Sequence, residues 1–130
     1  MSEIPGELKY SKSHEWVRIE DDDLLTVGIT DHAQALLGDM VFIETPEIGA
    51  SFAAEEACAV VESVKAASDV YCPLAGEVVE TNANLTDSPE MVNEQPYDDG
   101  WIFQLKIEDP EGLNQLMDAE EYEAFCEEVG

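Results

Sequence analysis

Basic residues are scarce in this sequence. Its 130 residues include only five lysines and arginines against 31 aspartates and glutamates, which gives a formal net charge of −26. A chain with this charge repels the phosphates of nucleic acids and anionic lipid headgroups, so we expect neither nucleic acid nor a membrane surface as a partner. Protein partners should instead present basic surfaces and bind less tightly as salt is added.

Cysteines and long apolar segments are also scarce. The three cysteines, Cys58, Cys72 and Cys126, are odd in number and form no C-x-x-C pair. They therefore predict neither a disulfide framework nor a zinc site. The N-terminal residues contain no long apolar run and no arginine-rich amphipathic pattern, so no secretory signal, transit peptide or membrane span is expected. The expected location is a reducing compartment, the bacterial cytoplasm, with a mature mitochondrial form as the alternative.

The sequence also lacks the motifs of self-contained catalytic sites. It has no glycine-rich phosphate loop and no G-x-S-x-G. His14 and His32 stand eighteen positions apart without a companion motif, so we expect solvated or cap-adjacent histidines and no metal site. Cys58 lies in an apolar run, which favours a buried thiol over a nucleophile. The acidic groups at 21–23 and 127–128 are expected to be solvated faces rather than an acid/base pair.

Short strands dominate the pattern that is present. Apolar and alternating segments bounded by turn residues predict strands within residues 8–20, 25–29, 40–45, 60–70, 77–81 and 101–107. Strands this short and closely spaced favour a small sandwich or barrel over alternating strand and helix units. No linker or low-complexity segment divides the chain, so residues 1–130 are expected to form one domain.

Helical signals are weaker and occur in three places. Thr30 or Asp31 can cap a short helix that Gly38 ends. Residues 81–100 are rich in asparagine and proline and predict a long loop with one helical turn. After residue 110, apolar residues recur at helical spacing on an acidic background. This spacing predicts a helix or helix pair packed on the β core.

Residues 60–70, VVESVKAASDV, place a lysine between two apolar runs. The stretch predicts two short strands joined by a tight turn, with Lys65 at or near the tip. Its neighbours Val64, Ala66 and Ala67 offer no polar side-chain groups that would hold the ammonium. Such a lysine is either an ordinary solvated turn residue or the attachment point of a covalent group, and the hairpin alone leaves both interpretations open.

Blocks along nearly the whole chain carry a resemblance to a known family. Besides residues 60–70 they are Ser13-His14-Glu15-Trp16-Val17, Val27-Gly28-Ile29-Thr30, Ala33-Gln34, Leu37-Gly38-Asp39, Ser88-Pro89-Glu90, Pro96-Tyr97 and Gly100-Trp101. In their order and spacing they resemble the H protein of the glycine cleavage system. The resemblance implies a mainly β fold with short edge and C-terminal helices, namely a flattened β sandwich (barrel-sandwich hybrid) of the lipoyl- and biotinyl-carrier type. One departure is Ala54-Glu55, which replaces a customary glycine-containing turn.

The resemblance further implies that Lys65 carries lipoic acid through an amide bond, within a single lipoyl-carrier domain over residues 1–130. The chain would be a carrier and not an enzyme, because the cofactor does the chemistry. It would take the aminomethyl group of glycine from the pyridoxal-phosphate-dependent glycine decarboxylase, the P protein, to the tetrahydrofolate-dependent aminomethyltransferase, the T protein. It would pass electrons to dihydrolipoyl dehydrogenase, the L protein. A lipoate ligase or a lipoyl or octanoyl transferase would attach the cofactor.

The resemblance also implies a cleft that shelters the loaded arm, with Ser13, Glu15 and Asp69 at the matching positions. A partly shielded carboxylate holds a cationic amine better than an exposed one. We therefore expect Glu15, helped by Asp69 and Ser13, to bind the aminomethyl ammonium. His32 is a weaker candidate for the same cleft. Ordinary surface and capping duty is the alternative for these side chains.

Other carriers and a non-carrier role are the competing interpretations. A lipoyl domain of a 2-oxo acid dehydrogenase would share the hairpin but lack the SHEW start and the helical tail. A biotin carrier normally has methionines on both sides of its lysine, where this sequence has Val64 and Ala66. A lipoyl donor or relay for other lipoyl domains, and an unmodified scaffold, stay open as alternatives.

Overall fold

A computed structural model describes residues 4–21 and 23–129, without the side chains of residues 128 and 129. Asp22, in the predicted acidic turn, and the Glu128 side chain lie outside this description. Within the described residues the strands are β1 Lys9–Tyr10, β2 Glu15–Ile19, β3 Leu24–Ile29, β4 Met40–Glu44, β5 Ser51–Phe52, β6 Ala57–Ser63, β7 Ala67–Tyr71, β8 Gly76–Thr81 and β9 Phe103–Ile107. Every segment predicted to contain a strand does so. The two-residue β5 was not predicted, and residues 8–20 hold two strands, β1 and β2, where one was expected.

The strands form two sheets that are antiparallel throughout. The larger sheet has the order β1-β2-β3-β9-β8-β5 and the smaller one β4-β6-β7. Neither sheet closes on itself, and an apolar core with residues from both sheets lies between them, including Val27 and Leu105 from the larger and Ile43 and Val61 from the smaller. The arrangement is a flattened sandwich, which confirms the predicted fold class.

Strand β2 alternates between two apolar layers. Val17 lies in the core between the sheets, whereas Trp16 packs in a second cluster on the opposite face with Leu8, Tyr10 and Tyr122. Each large side chain buried in this way contributes about 2 kcal/mol to the free energy of unfolding. Because side chains two residues apart share a face of a strand, Glu15 occupies a position that points toward the core with Val17.

Helix α1, Asp31–Leu37, forms as the sequence predicts. The side chain of Thr30 accepts a hydrogen bond from the backbone N–H of Ala33 at 3.2 Å and caps its start. Gly38 ends it with a φ of 89°, a left-handed conformation that suits glycine. The next segment, Met40–Glu44, can therefore leave the helix directly as β4.

The segment between β8 and β9 is more ordered than the sequence predicts. It contains two short helices, α2 Asn84–Asp87 and α3 Met91–Glu94, so the prediction of a single helical turn was wrong. Each helix buries one apolar side chain, Leu85 or Val92, in the core between the sheets. The sequence signal is weak because a four-residue helix is too short to show helical periodicity.

The C-terminal segment forms a helix pair, as predicted. A 3₁₀ helix spans Pro110–Gln115 and α4 spans Ala119–Val129. Tyr122 of α4 is fully buried and stacks on Tyr10, with ring centroids 4.6 Å apart. Helix α4 therefore covers the outer face of the larger sheet beside β1 and β2. No helix in the described part of the chain is long and apolar enough to cross a membrane.

Candidate functional site

The tip between β6 and β7 is closed by the side chain of Ser63. Its hydroxyl oxygen accepts the backbone N–H of Lys65 at 3.2 Å and that of Ala66 at 3.1 Å. The backbone N–H of Ser63 donates to the Ala66 carbonyl at 2.8 Å. Because the backbone of the turn finds its partners locally, the side chain of Lys65 is not needed to hold its shape.

The same tip is attached to the end of α1. The N–H of Val64 donates to the carbonyl of Asp39 at 3.0 Å, just beyond Gly38. The Lys65 side chain lies over Gly38. A Cβ added to Gly38 would stand 3.3 Å from Cε of Lys65. Lys65 is nevertheless exposed. Among the described residues the only ion pair joins Arg18 to Glu20, so no carboxylate there holds the Lys65 ammonium.

Glu15 begins β2 and is almost completely buried, with 1% of its surface exposed. The Ser11 hydroxyl donates to one carboxylate oxygen at 2.5 Å, and the backbone N–H of Tyr71 donates to the other at 3.3 Å. Burial raises the pKa of Glu15 to about 7, although these hydrogen bonds favour the charged form and oppose the rise. Glu15 has no cationic partner among the described residues. It is a buried carboxylate that a cation would complement.

A cavity of about 250 Å³ adjoins Glu15 and is lined by residues of β1, β2, β7 and the 3₁₀ helix. Its lining is part polar and part apolar and includes Tyr10, Ser11, Ser13, Glu15, Tyr71 and Leu116. The volume suits a short chain or a small head group rather than a large ligand. A charge that enters it meets the Glu15 carboxylate away from bulk water, where electrostatic attraction is stronger.

The predicted cleft residues do not all lie together. Ser13 and Glu15 line the cavity, whereas Asp69 and His32 are not in its lining. Asp69 is exposed on β7, on the same face as Tyr71, which does line the cavity. This outer face of β7 thus runs from the hairpin tip past Asp69 to the cavity. His32 lies in the first turn of α1 with its ring 5.0 Å from that of His14.

Two contributors to the Glu15 environment were not predicted. Ser11 lies four residues before Glu15, and its hydroxyl oxygen also accepts the Glu15 backbone N–H at 3.0 Å. The sequence shows Ser11 only as a serine shortly before a strand. Serines are common at such positions, so this pattern does not indicate a hydrogen bond to Glu15. The backbone of Tyr71 contributes through its N–H, which no side-chain pattern can reveal.

The turn at Ala54-Glu55 also borders the cavity. Glu55 has a φ of 68°, a left-handed conformation that is uncommon for residues other than glycine. The sequence departs from a customary glycine-containing turn at this place, and the backbone keeps a conformation that favours glycine. The conformation brings the N–H of Glu55 to the Cys72 carbonyl at 2.7 Å.

Two free cysteines lie beside the cavity. Cys72 is buried in its lining, and Cys58 is half-buried, less deeply than the sequence predicts for this thiol. A hydrogen bond from the Cys58 thiol lowers the pKa of Cys72. The same hydrogen bond, followed by burial, raises the pKa of Cys58. A thiol that donates a hydrogen bond and has a raised pKa is a poor nucleophile, which agrees with the expectation for Cys58.

Over residues 8–129 the sequence matches the family described as Glycine cleavage H-protein. The chain belongs to this family. The match covers both the hairpin tip and the segments that surround Glu15, and it confirms the resemblance found in the sequence blocks.

Individual relatives agree with the family match. A glycine cleavage system H protein from Alkalilimnicola ehrlichii is 58% identical over 123 residues, covering 95% of this chain and 95% of the relative. One from Pectobacterium atrosepticum is 60% identical over 128 residues, covering 98% of each chain. The crystal structure of a glycine cleavage system H protein from Mycobacterium marinum superposes with a TM-score of 0.84 at 35% identity, covering 95% of this chain and 99% of that one. All three sources are bacteria.

Proposed function

We propose that this chain is the lipoyl carrier of a glycine cleavage system, with lipoic acid in amide linkage to Nζ of Lys65. The observation that carries the proposal is an exposed lysine, free of carboxylate partners among the described residues, at the tip of a turn whose backbone is internally satisfied. An attaching enzyme can reach such an amine without unfolding the hairpin. Acylation then removes the positive charge without breaking an ion pair of the fold.

When bound, a lipoyl group supplies a reversible disulfide and dithiol pair, which can accept an aminomethyl group and electrons. The chain contributes the placement of that pair. Ser63 and the Asp39 carbonyl hold the tip, so the arm pivots at the Lys65 side chain rather than at a mobile loop. Tethering makes each transfer local and raises the effective concentration at a partner's active site. The polypeptide accordingly acts as a carrier and not as an enzyme.

We assign Glu15 the role of binding the ammonium of the aminomethyl group. An extended lysyl-lipoyl arm spans roughly 15 Å from the lysine Cα. Asp69 is the third residue of β7 and stands four residues from Lys65, a span of at most about 13 Å. The arm can therefore follow the outer face of β7 past Asp69 toward the cavity, where Glu15 lies buried and forms no ion pair with any described residue. Ser13 lines the same cavity and Asp69 stands at its approach.

The partners that follow from this function are the P, T and L proteins and an enzyme that attaches the lipoyl group. With a net charge of −26, the chain suits docking surfaces with basic rims. Residues 1–130 act as a single carrier domain, and the bacterial cytoplasm is the proposed location.

Intact mass spectrometry of the unmodified protein after incubation with lipoate ligase, ATP and lipoate tests the proposal. Wild type should gain one lipoyl group. Lys65→Arg should gain none, because a guanidinium cannot be acylated by the ligase. Lys106→Arg is the matched control, since Lys106 is an exposed lysine on β9 and should leave the single addition unchanged.

A wild-type protein that gains no lipoyl group would exclude the carrier function. A Lys65→Arg protein that still gains one would move the attachment site elsewhere. Circular dichroism of both variants separates these outcomes from a loss of folding.

A further inference from the structure

The fold brings together three metal-ligating side chains that are distant in the sequence. His14 precedes β2, His32 lies in α1 and Cys126 lies in α4, and one ligand atom of each stands within 4.8 Å of the others. The two histidines and the thiol are all half-buried. The sequence offers no sign of this cluster, because eighteen residues separate the histidines and ninety-four separate His32 from Cys126.

The backbone of His14 is held in an unusual conformation that directs its side chain to this place. Its φ is 71°, a left-handed conformation that is uncommon for residues other than glycine. The His14 N–H donates to the Ser11 carbonyl at 3.2 Å, and the His14 carbonyl accepts the N–H of Thr30 at 3.0 Å. With the backbone fixed on both sides, the ring stands 5.0 Å from that of His32 and 5.9 Å from that of Phe125.

Hydrogen bonds with other side chains also orient the His14 ring. Its Nδ1 lies 2.7 Å from the Tyr122 hydroxyl, which lies 2.7 Å from the Thr30 hydroxyl. When Nδ1–H donates to the Tyr122 hydroxyl oxygen, Nε2 keeps its lone pair. Metal-binding histidines commonly have one nitrogen held in this way while the other binds the ion.

We propose that His14, His32 and Cys126 form a binding site for one divalent ion of the zinc type, with a fourth position open to water. Two imidazoles and one thiolate are a donor set that zinc prefers over calcium or magnesium. In a tetrahedral site the three ligand atoms stand about 3.5 Å apart. The present spacing of up to 4.8 Å requires side-chain movements on the order of 1 Å. The bound ion would join β2, α1 and α4.

This site is separate from the proposed lipoyl site. It lies beside Tyr122, on the α4 side of the larger sheet, and none of its three residues lines the cavity next to Glu15. The net charge of −26 raises the local concentration of cations near the protein. The ion would add a cross-link between the C-terminal helix and the sandwich without occupying the carrier's cleft.

Cobalt(II) titration of the reduced, untagged, full-length protein tests the site, because cobalt substitutes for zinc and gives a near-ultraviolet charge-transfer band when a thiolate binds it. Wild type should show this band with one equivalent of cobalt and lose it when zinc is added. Cys126→Ala should lack the band. Cys58→Ala is the matched control, since Cys58 is another half-buried free thiol and is not in the cluster.

A second variant, His32→Gln, keeps the test decisive if Cys126→Ala fails to fold. It should weaken cobalt binding at least roughly tenfold, measured by competition with a chromophoric chelator. Absence of the band from wild type would overturn the proposal. A band that persists in Cys126→Ala, or disappears in Cys58→Ala, would place the metal at a different thiol and overturn it as well.

Discussion

The hairpin tip exposes its charged side chain to solvent, whereas the cavity around Glu15 buries its charged side chain. Lys65 is exposed, and its turn is held by hydrogen bonds among residues 63–66. Glu15 is buried, and its environment is assembled from Ser11, β2 and the end of β7. A covalent attachment point must be reached by an enzyme, whereas a site that binds an ammonium is improved by exclusion of water. The two proposed tasks therefore require different local structures.

The largest expected effect concerns the lifetime of the loaded arm. Replacing Glu15 by Gln removes the buried negative charge while keeping the shape of the side chain. We expect hydrolytic loss of the aminomethyl group to become roughly 30-fold faster, because a hydrogen bond to a charged group contributes about 2 kcal/mol. Release of formaldehyde and ammonia from the isolated, loaded protein measures this rate.

Two further variants serve as comparisons in this experiment. Glu77→Gln changes an exposed carboxylate on β8 and should leave the rate unchanged. Asp69→Asn should have a smaller effect than Glu15→Gln, since Asp69 is exposed and outside the cavity lining. Equal rates in wild type and Glu15→Gln would show that burial of Glu15 does not protect the arm.

The second prediction concerns stability as a function of pH in the protein without a loaded arm. Burial raises the pKa of Glu15 from 4.5 to about 7, so between these values the folded state binds more protons than the unfolded state. The stabilising contribution of the protonated form is present at low pH and is lost as pH rises through 7. From pH 5 to pH 8 wild type should lose about 2 kcal/mol relative to Glu15→Gln.

Urea unfolding of both proteins at several pH values measures this difference, since the other carboxylates titrate alike in the two proteins and cancel. A difference that stays constant with pH would mean that Glu15 is ionised throughout. Its carboxylate would then be solvated more than the structure indicates.

The smallest expected effect is on the tip itself. Ser63→Ala removes the hydroxyl that accepts the N–H groups of Lys65 and Ala66, and should lower the free energy of unfolding by about 1 kcal/mol. Lipoylation should still go to completion, but hydrogen exchange at residues 64–66 should become faster. Ser68→Ala, on β7, should leave that exchange unchanged. Slow exchange at the tip of Ser63→Ala would show that the backbone hydrogen bonds of Ser63 and Val64 are enough to hold the turn.

The hairpin tip and the Glu15 cavity also differ in how well the sequence could predict them. The turn at Lys65 depends on neighbours within a few residues, so its pattern of apolar runs and small residues was sufficient. The spacing of short strands predicted a small sandwich or barrel, and the resemblance to a known family chose the flattened sandwich. The burial of Glu15 depends on a backbone N–H of Tyr71, fifty-six positions away, and on the packing of one sheet over the other. No local pattern contains that information.

Other differences have similar causes. Helices α2 and α3 are stabilised by burying Leu85 and Val92 against strands that are distant in sequence, which outweighs the loop-forming composition of the segment. The left-handed conformations of His14 and Glu55 are imposed by hydrogen bonds to Thr30 and Cys72. A left-handed backbone conformation can be predicted from the sequence only where a glycine indicates it, as at Gly38.

Trp16 gives the molecule an internal optical reporter. Its indole is fully buried and its Nε1–H donates to the Pro96 carbonyl at 2.7 Å. The ring packs directly on Gly28, where an added Cβ would stand 2.7 Å from it. The indole lies on the face of β2 opposite to Glu15, next to it along the strand. Ionisation of Glu15, or arrival of a cation beside it, changes the electric field across the ring. In a Trp101→Phe variant, which leaves Trp16 as the single tryptophan, intrinsic fluorescence should therefore follow occupancy of the proposed cleft without an added label.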